Sequence, residues 1–342
     1  MTEVARYQVT DMHTGGEPVR IFTGGIPALQ GGSLLAKRRY AKAELDLVRQ
    51  RLMSEPRGHA DMYGVWPTEP HHPDAALAVL FTHNGGYSTM CGHATIALGR
   101  WVLDQQLVPL TPPLTQFGLE CPCGLVEVNV ETSEDGTLGQ VSLDSVEAFA
   151  YQLDVEVEVP QLGTVTLDIS YGGAYYAILP ASRLGMSLMD SPVDELIQAA
   201  RKITDATREQ LTITHPDADA SDLGFLYGTI LTDDADATEA TGNLCIFGDG
   251  QVDRSPTGSG VTARLALDYA KGRIAIGQPR QFRGLSGVPF DGQIKSARDD
   301  RVVITVAGQG FYSGTSEFVV EAEDSLRDGL PICGNLRGIW GK

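Results

Sequence analysis

Two stretches of the chain repeat one another, and this repeat constrains the fold more than any other feature. Residues 84–104 pass from a polar, glycine-rich turn to Cys91, then Gly92 and His93. An apolar series follows: Ala94, Ile96, Ala97, Leu98, Trp101 and Val102. Residues 249–272 follow the same plan. A polar turn leads to Thr257, then Gly258 and Ser259, then Val261, Ala263, Leu265, Ala266 and Tyr269, with Gly272 placed as a C-cap. Cys91-Gly92-His93-Ala94-Thr95 and Thr257-Gly258-Ser259-Gly260-Val261 correspond position by position. Each unit sets one small side chain at the start of a predicted helix. Unpaired N–H groups and the helix dipole favour negative charge there. Two such units imply two similar half-domains. If these face each other, both helix starts open on one cleft.

In that arrangement the backbone N–H groups of Gly92, His93, Gly258 and Ser259 form a carboxylate site. Glycine after each key residue lets the backbone approach a ligand closely. The helix start is expected to lower the pKa of Cys91 and so make it a nucleophile or base. Taken singly, a lone cysteine is usually buried and inert, and Asp253 with Ser255 would serve only as helix caps. Convergence of the two units makes them site candidates.

A chain of 342 residues is long for one core and suggests two domains. The net charge of −18 argues against nucleic acid and against an anionic membrane surface as partners. Cys91, Cys121, Cys123, Cys245 and Cys333 are odd in number and sparse, so no disulfide framework is expected. Cys121-Pro122-Cys123-Gly124 lacks the further cysteine or histidine pair of a zinc site and reads as a bend between strands, so no metal is expected. No signal segment or membrane span is visible, which points to a cytoplasmic protein.

Residues 7–12 and 19–23 read as strands joined at Thr14-Gly15-Gly16-Glu17-Pro18. Residues 33–53 read as helical, with Ser33 as cap, and residues 76–82 as a buried strand feeding the Cys91 turn. Strands are expected over 114–132, 138–147, 155–169, 177–180, 225–231, 243–247, 302–308 and 317–321, and a helix over 191–212. Residues 233–241 read as an acidic surface loop. The order lacks the strict alternation of a doubly wound fold.

Asp11-Met12-His13-Thr14-Gly15-Gly16-Glu17-Pro18, Arg57-Gly58-His59 with Met62-Tyr63-Gly64, Met90-Cys91-Gly92-His93, and Asp253-Arg254-Ser255-Pro256-Thr257-Gly258-Ser259-Gly260 together resemble the signatures of the proline racemase superfamily. The resemblance implies an α/β (α+β) fold like that of diaminopimelate epimerase. Two pseudo-symmetric halves each wrap a mostly antiparallel sheet around a central helix, with the active site in the cleft between them. Residues 1–130 with 317–342 are expected to form the half carrying Cys91, and 131–316 the half carrying Thr257. Family racemases and epimerases carry a cysteine in both turns. The Cys91/Thr257 pairing resembles instead the branch that dehydrates trans-3-hydroxy-L-proline, and Leu35-Ala36-Lys37-Arg38-Arg39-Tyr40 and Tyr227-Gly228-Thr229-Ile230-Leu231-Thr232 add to that likeness.

The chemistry of the pair agrees with the resemblance. Inversion at Cα needs an acid/base group on each face, and a thiol can serve as either. A threonine hydroxyl is too weak for both tasks. Proton removal from one face, with the N–H cradle stabilising the developing carboxylate charge, favours loss of a 3-hydroxyl as water. The expected catalytic pair is therefore Cys91 and Thr257. Gly92, His93, Gly258 and Ser259 are the expected carboxylate binders, the His93 contribution being credited chiefly to its backbone N–H. Asp253 is assigned to the ring ammonium by resemblance and charge. The partner is a hydroxylated proline, no cofactor is expected, and a homodimer is compatible with the reading. Proline racemase, hydroxyproline 2-epimerase and a non-catalytic amino-acid-binding protein stand as alternatives.

Overall fold

The computed structural model describes residues 3–233 and 240–330. Cys333 and most of the expected acidic loop lie outside the described residues. β1 (Glu3–Thr14) and β2 (Glu17–Gly24) form an antiparallel hairpin. Gly15 and Gly16 both have positive φ, 59° and 84°, the conformation a two-residue hairpin turn demands. The helical stretch after Ser33 is two helices, α1 (Leu34–Glu44) and α2 (Asp46–Met53). Ser33 caps the first through the Ala36 N–H. Leu45, at φ −125°, leaves helical geometry, and Asp46 restarts the helix with a salt bridge to Arg49.

β3 (Tyr63–Thr68), β4 (Ala75–His83) and β5 (Gly86–Ser88) lead to α3 (Gly92–Asp104). β6 (Leu114–Cys121), β7 (Gly124–Thr132) and β8 (Leu138–Asp144) follow. Pro122 and Cys123 form the turn between β6 and β7. Ile96, Ala97, Leu98 and Val102 are fully buried, as befits a helix apolar on every side and enclosed by sheet.

β9 (Phe149–Val159), β10 (Gly163–Tyr171), β11 (Tyr175–Pro180) and the amphipathic α4 (Val193–Gln210) open the second unit. β12 (Leu226–Thr232), β13 (Thr241–Phe247), β14 (Gln251–Val252) and α5 (Gly258–Ala270) follow. β15 (Arg280–Arg283), β16 (Pro289–Arg298) and β17 (Arg301–Gly308) end it, and β18 (Gly310–Glu321) returns to β1.

The strand pairings repeat element for element. β1–β2 is antiparallel, β2–β3 parallel, β3–β4 and β4–β5 antiparallel, and β4–β6 parallel; β6–β7–β8 is then antiparallel. β10–β11, β11–β12, β12–β13, β13–β14, β13–β15 and β15–β16–β17 reproduce this order and these directions. β9 flanks β10 as β18 flanks β1, and β8 pairs with β17 to join the two sets. The last strand pairs with β1 from Gly310, ahead of residue 317 where the strand was expected, and β8 packs against α3. One apolar core runs through both central helices, joining Ile96 and Leu98 to Val261 and Leu265.

Candidate active site

β5 and the turn after it place Cys91 at the N-cap of α3 in extended backbone. Thr89 fixes this turn by donating to the Gly173 carbonyl at 2.7 Å. Cys91 Sγ accepts from the Ala94 N–H at 3.4 Å and lies 3.1 Å from His93 Nδ1. Thr257 occupies the equivalent N-cap of α5, with φ 63° and ψ 97°. A β-branched residue at positive φ is strained, by roughly 1–3 kcal/mol. Asp253 over-determines the conformation. Its Oδ1 accepts the Ser255 N–H at 2.8 Å and its Oδ2 accepts the Thr257 hydroxyl at 2.7 Å. Asp253 thus caps its own turn, as expected of an acidic residue there, and the same Oδ2 lies 3.9 Å from His93 Nδ1.

The two helix starts abut. A Cβ at Gly92 would lie 2.5 Å from Gly258 Cα, and one at Gly258 would lie 2.6 Å from Gly92 Cα. The glycines were expected to admit a ligand to the backbone; the closest approach they permit is of one helix to the other. Among the described residues, the N–H groups of Gly92, His93, Gly258 and Ser259 have no acceptor within the protein. Cys91, His93, Asp253, Thr257 and Ser259 all line one buried chamber. It leaves only about 10 Å³ for the centre of a water-sized molecule, room for a single water. A ring-sized ligand therefore needs the surrounding elements to move apart. Among the described residues no Lys or Arg lines the chamber. Arg254 instead donates to Glu17 and to the Asp61 carbonyl.

Sequence reasoning missed the aromatic wall. Tyr63, Tyr176, Tyr227 and Phe247 enclose the chamber. The Tyr176 hydroxyl is 2.8 Å from Ser259 Oγ, so Ser259 contributes a side chain as well as an N–H. Tyr63 packs edge-on to the His93 ring with centroids 4.8 Å apart. Tyr63 and Tyr227 fall within short segments legible as motifs, but only the fold brings them to Cys91. Glu17 was also missed as a supporting group. It is fully buried and accepts the Arg254 N–H at 2.7 Å, tying the first hairpin to the Asp253 turn.

Electrostatics correct one expectation. Burial pushes the Cys91 thiol well above its ordinary pKa; the Ala94 N–H pulls it down, and the charge of Asp253 pushes it further up. Desolvation outweighs the helix start because one N–H contact does not replace a thiolate's hydration. Burial likewise lowers the pKa of His93, leaving a neutral imidazole whose Nδ1 lies 3.1 Å from the thiol sulfur. Burial also raises the pKa of Glu17, the nearby charge of Asp253 adding to it, while Arg254 pulls it down. In the free protein Cys91 alkylation by iodoacetamide should therefore be slow at neutral pH and accelerate above pH 9, as the thiolate forms. Mass-spectrometric rates across pH check this; a plateau below pH 7 would show a lowered pKa instead.

Two helix N-termini sharing one buried chamber between repeated, sheet-wrapped units define the diaminopimelate-epimerase-like α/β fold. Within that fold the chain belongs to the proline racemase family, whose sequence pattern matches residues 9–331. It is 50% identical over 334 residues to the trans-3-hydroxy-L-proline dehydratase of Homo sapiens, covering 94% of this chain and 93% of that protein. It is 40% identical over 325 residues to the trans-3-hydroxy-L-proline dehydratase of Colwellia psychrerythraea, covering 94% and 91%. A hydroxyproline epimerase from Agrobacterium vitis with bound trans-4-hydroxy-L-proline superposes with a TM-score of 0.89 at 24% identity, over 99% of this chain and 97% of that one, and shares the fold. No helix among the described residues is long and apolar enough to cross a membrane.

Proposed function

We propose that the protein is a cofactor-independent hydro-lyase that converts trans-3-hydroxy-L-proline to pyrroline-2-carboxylate and water. The observation that carries this reading is the pairing of one thiol, Cys91, with one hydroxyl, Thr257, at mirrored helix caps of a single chamber. Dehydratase relatives at 50% and 40% identity support it.

The substrate carboxylate takes the N–H groups of Gly92, His93, Gly258 and Ser259, and its ring ammonium faces Asp253. That ammonium offsets the Asp253 charge that holds the thiol pKa up, and His93 Nδ1 is in reach of the thiol proton. Binding therefore favours the thiolate. The Cys91 thiolate removes the Cα proton, and the electron pair moves into the carboxylate as an enolate-like state held by the N–H groups. The pair then forms the Cα–Cβ double bond as the C3–O bond breaks. In the trans isomer the Cα hydrogen and the 3-hydroxyl share a ring face. The protonated Cys91 thus returns its proton to the departing hydroxyl, releasing water and restoring the thiolate. The enamine tautomerises to the pyrroline. Thr257, its proton committed to Asp253, positions the ring from the opposite face.

Mixing the protein with trans-3-hydroxy-L-proline and trapping the cyclic imine tests the reading. Imine formation is expected; sustained inversion of L-proline or 4-hydroxyproline without imine would replace it with an isomerase. Thr257→Cys should introduce racemisation of L-proline, read as deuterated D-proline in D₂O, because it supplies the second acid/base and relieves a β-branched residue at positive φ. Absence of D-proline with a folded variant would show that the second helix cap does not face Cα.

The repeated pairing order supports a division into two halves that exchange after β8 and after β17. The free thiols at Cys91, Cys121, Cys123 and Cys245 support a reducing, cytoplasmic setting.

A further inference from the structure

A second cavity lies on the other side of Tyr227, which lines both it and the closed chamber. It offers about 420 Å³, within the range of small-molecule sites. It straddles the two units: Arg38 and Lys42 come from α1, Asp222, Asp249 and Arg208 from the second unit. The Arg39–Asp222 ion pair at 2.5 Å and the His83–Gln251 hydrogen bond at 2.9 Å close across it.

Its charges are unevenly satisfied. Arg208 spends its donors on the carbonyls of Leu226, Tyr227 and Gly248. Arg38 donates from Nη2 to the Tyr87 carbonyl, sits 6.0 Å from the Phe225 centroid, and keeps its Nε buried without a partner. Lys42 and Asp249 are exposed and make no hydrogen bond or ion pair among the described residues. Lys42, Arg38 with its unpartnered Nε, and Asp249, whose charge acts on Arg208, thus share one cavity in a protein of net charge −18.

We propose that this cavity is an outer subsite that takes a small zwitterionic amino acid, carboxylate to Arg38 and Lys42 and ammonium to Asp249, before it passes Tyr227 into the chamber. The segments Leu35–Tyr40 and Tyr227–Thr232 meet here through Arg38 and Tyr227. Identifying the ligand with the substrate rests on the dehydratase reading; the existence of the site does not. Surface charges flanking a concave site raise encounter rates and leave the chemical step untouched.

The test uses the full chain with L-proline, which lacks the 3-hydroxyl, as the binding probe. Equilibrium dialysis is expected to find two prolines per chain, and Lys42→Glu, at an exposed position, to reduce this to one. Lys42→Glu should also lower kcat/KM roughly tenfold with kcat unchanged, a loss that shrinks as salt is raised. Arg38→Gln should do the same without the salt dependence of a rim charge. One proline per chain in the parent protein, or unaltered kcat/KM in Lys42→Glu, overturns the outer subsite. Two prolines bound by a chain that dehydrates nothing would sink the dehydratase reading and leave this one standing.

Discussion

Cys91→Ser should retain the fold and lose dehydration by a factor of roughly 10² to 10⁴, the range attached to a positioned acid/base group. The two halves of this expectation rest on different properties of one atom. Structurally, Cys91 is an N-cap whose Sγ accepts the Ala94 N–H, and serine fills that position better than cysteine. The helix should be as firm or firmer, and thermal unfolding should show no loss of stability. Chemically, burial already pushes the thiol above its ordinary pKa, and a hydroxyl in the same desolvated place lies far beyond deprotonation by the neutral His93. Turnover of trans-3-hydroxy-L-proline measured by imine trapping, beside a melting curve, separates the two. A folded Cys91→Ser protein with near-parental dehydration would remove Cys91 from the mechanism.

The raised thiol pKa also says when proton transfer can begin. Among the described residues the chamber holds a carboxylate, Asp253, and no cationic side chain. Cys91 therefore stays a thiol until a ligand brings positive charge, and the ring ammonium of a proline is such a charge. On the proposed mechanism this couples activation of Cys91 to occupancy and shields the idle thiol from oxidation.

Both helix starts were legible in the sequence because each combines a glycine turn, one small polar residue and an apolar run, and because they match in register. Local pattern carried that much. It did not carry the direction of the Cys91 shift, since burial is made by Tyr63, Tyr176, Tyr227 and Phe247, which lie far from Cys91 along the chain. β3 escaped notice because Tyr63, Gly64, Val65 and Trp66 are buried on both faces and Pro67 follows, so no alternation marks it. The early part of β18 was hidden for the opposite reason: Phe311 through Glu317 are exposed on both faces, and only pairing with β1 makes them a strand. The apposition of Gly92 and Gly258 was invisible too, because each glycine explains itself locally as a tight turn.

That apposition yields the second large expectation. Gly92→Ala should cut activity by about 10²-fold and destabilise the protein by about 1–3 kcal/mol. At an ordinary helix start the sign would be reversed, because alanine favours helix over glycine by about 1 kcal/mol. Here the new methyl would stand 2.5 Å from Gly258 Cα and 2.9 Å from its carbonyl carbon. These are backbone atoms, so no rotamer change relieves the overlap. The helix ends must separate, and Gly258→Ala meets the same barrier from the other side, at 2.6 Å from Gly92 Cα. Separation moves the N–H groups of Gly92 and His93 away from those of Gly258 and Ser259, and Cys91 away from Thr257. A carboxylate then reaches one set of donors or the other, and the base sits off the Cα proton. Paired measurements of melting temperature and kcat/KM check both parts for each variant. A Gly92→Ala protein of equal or higher stability with full activity would mean that the two helix starts stand further apart than in this structure and that the cradle does not depend on their contact.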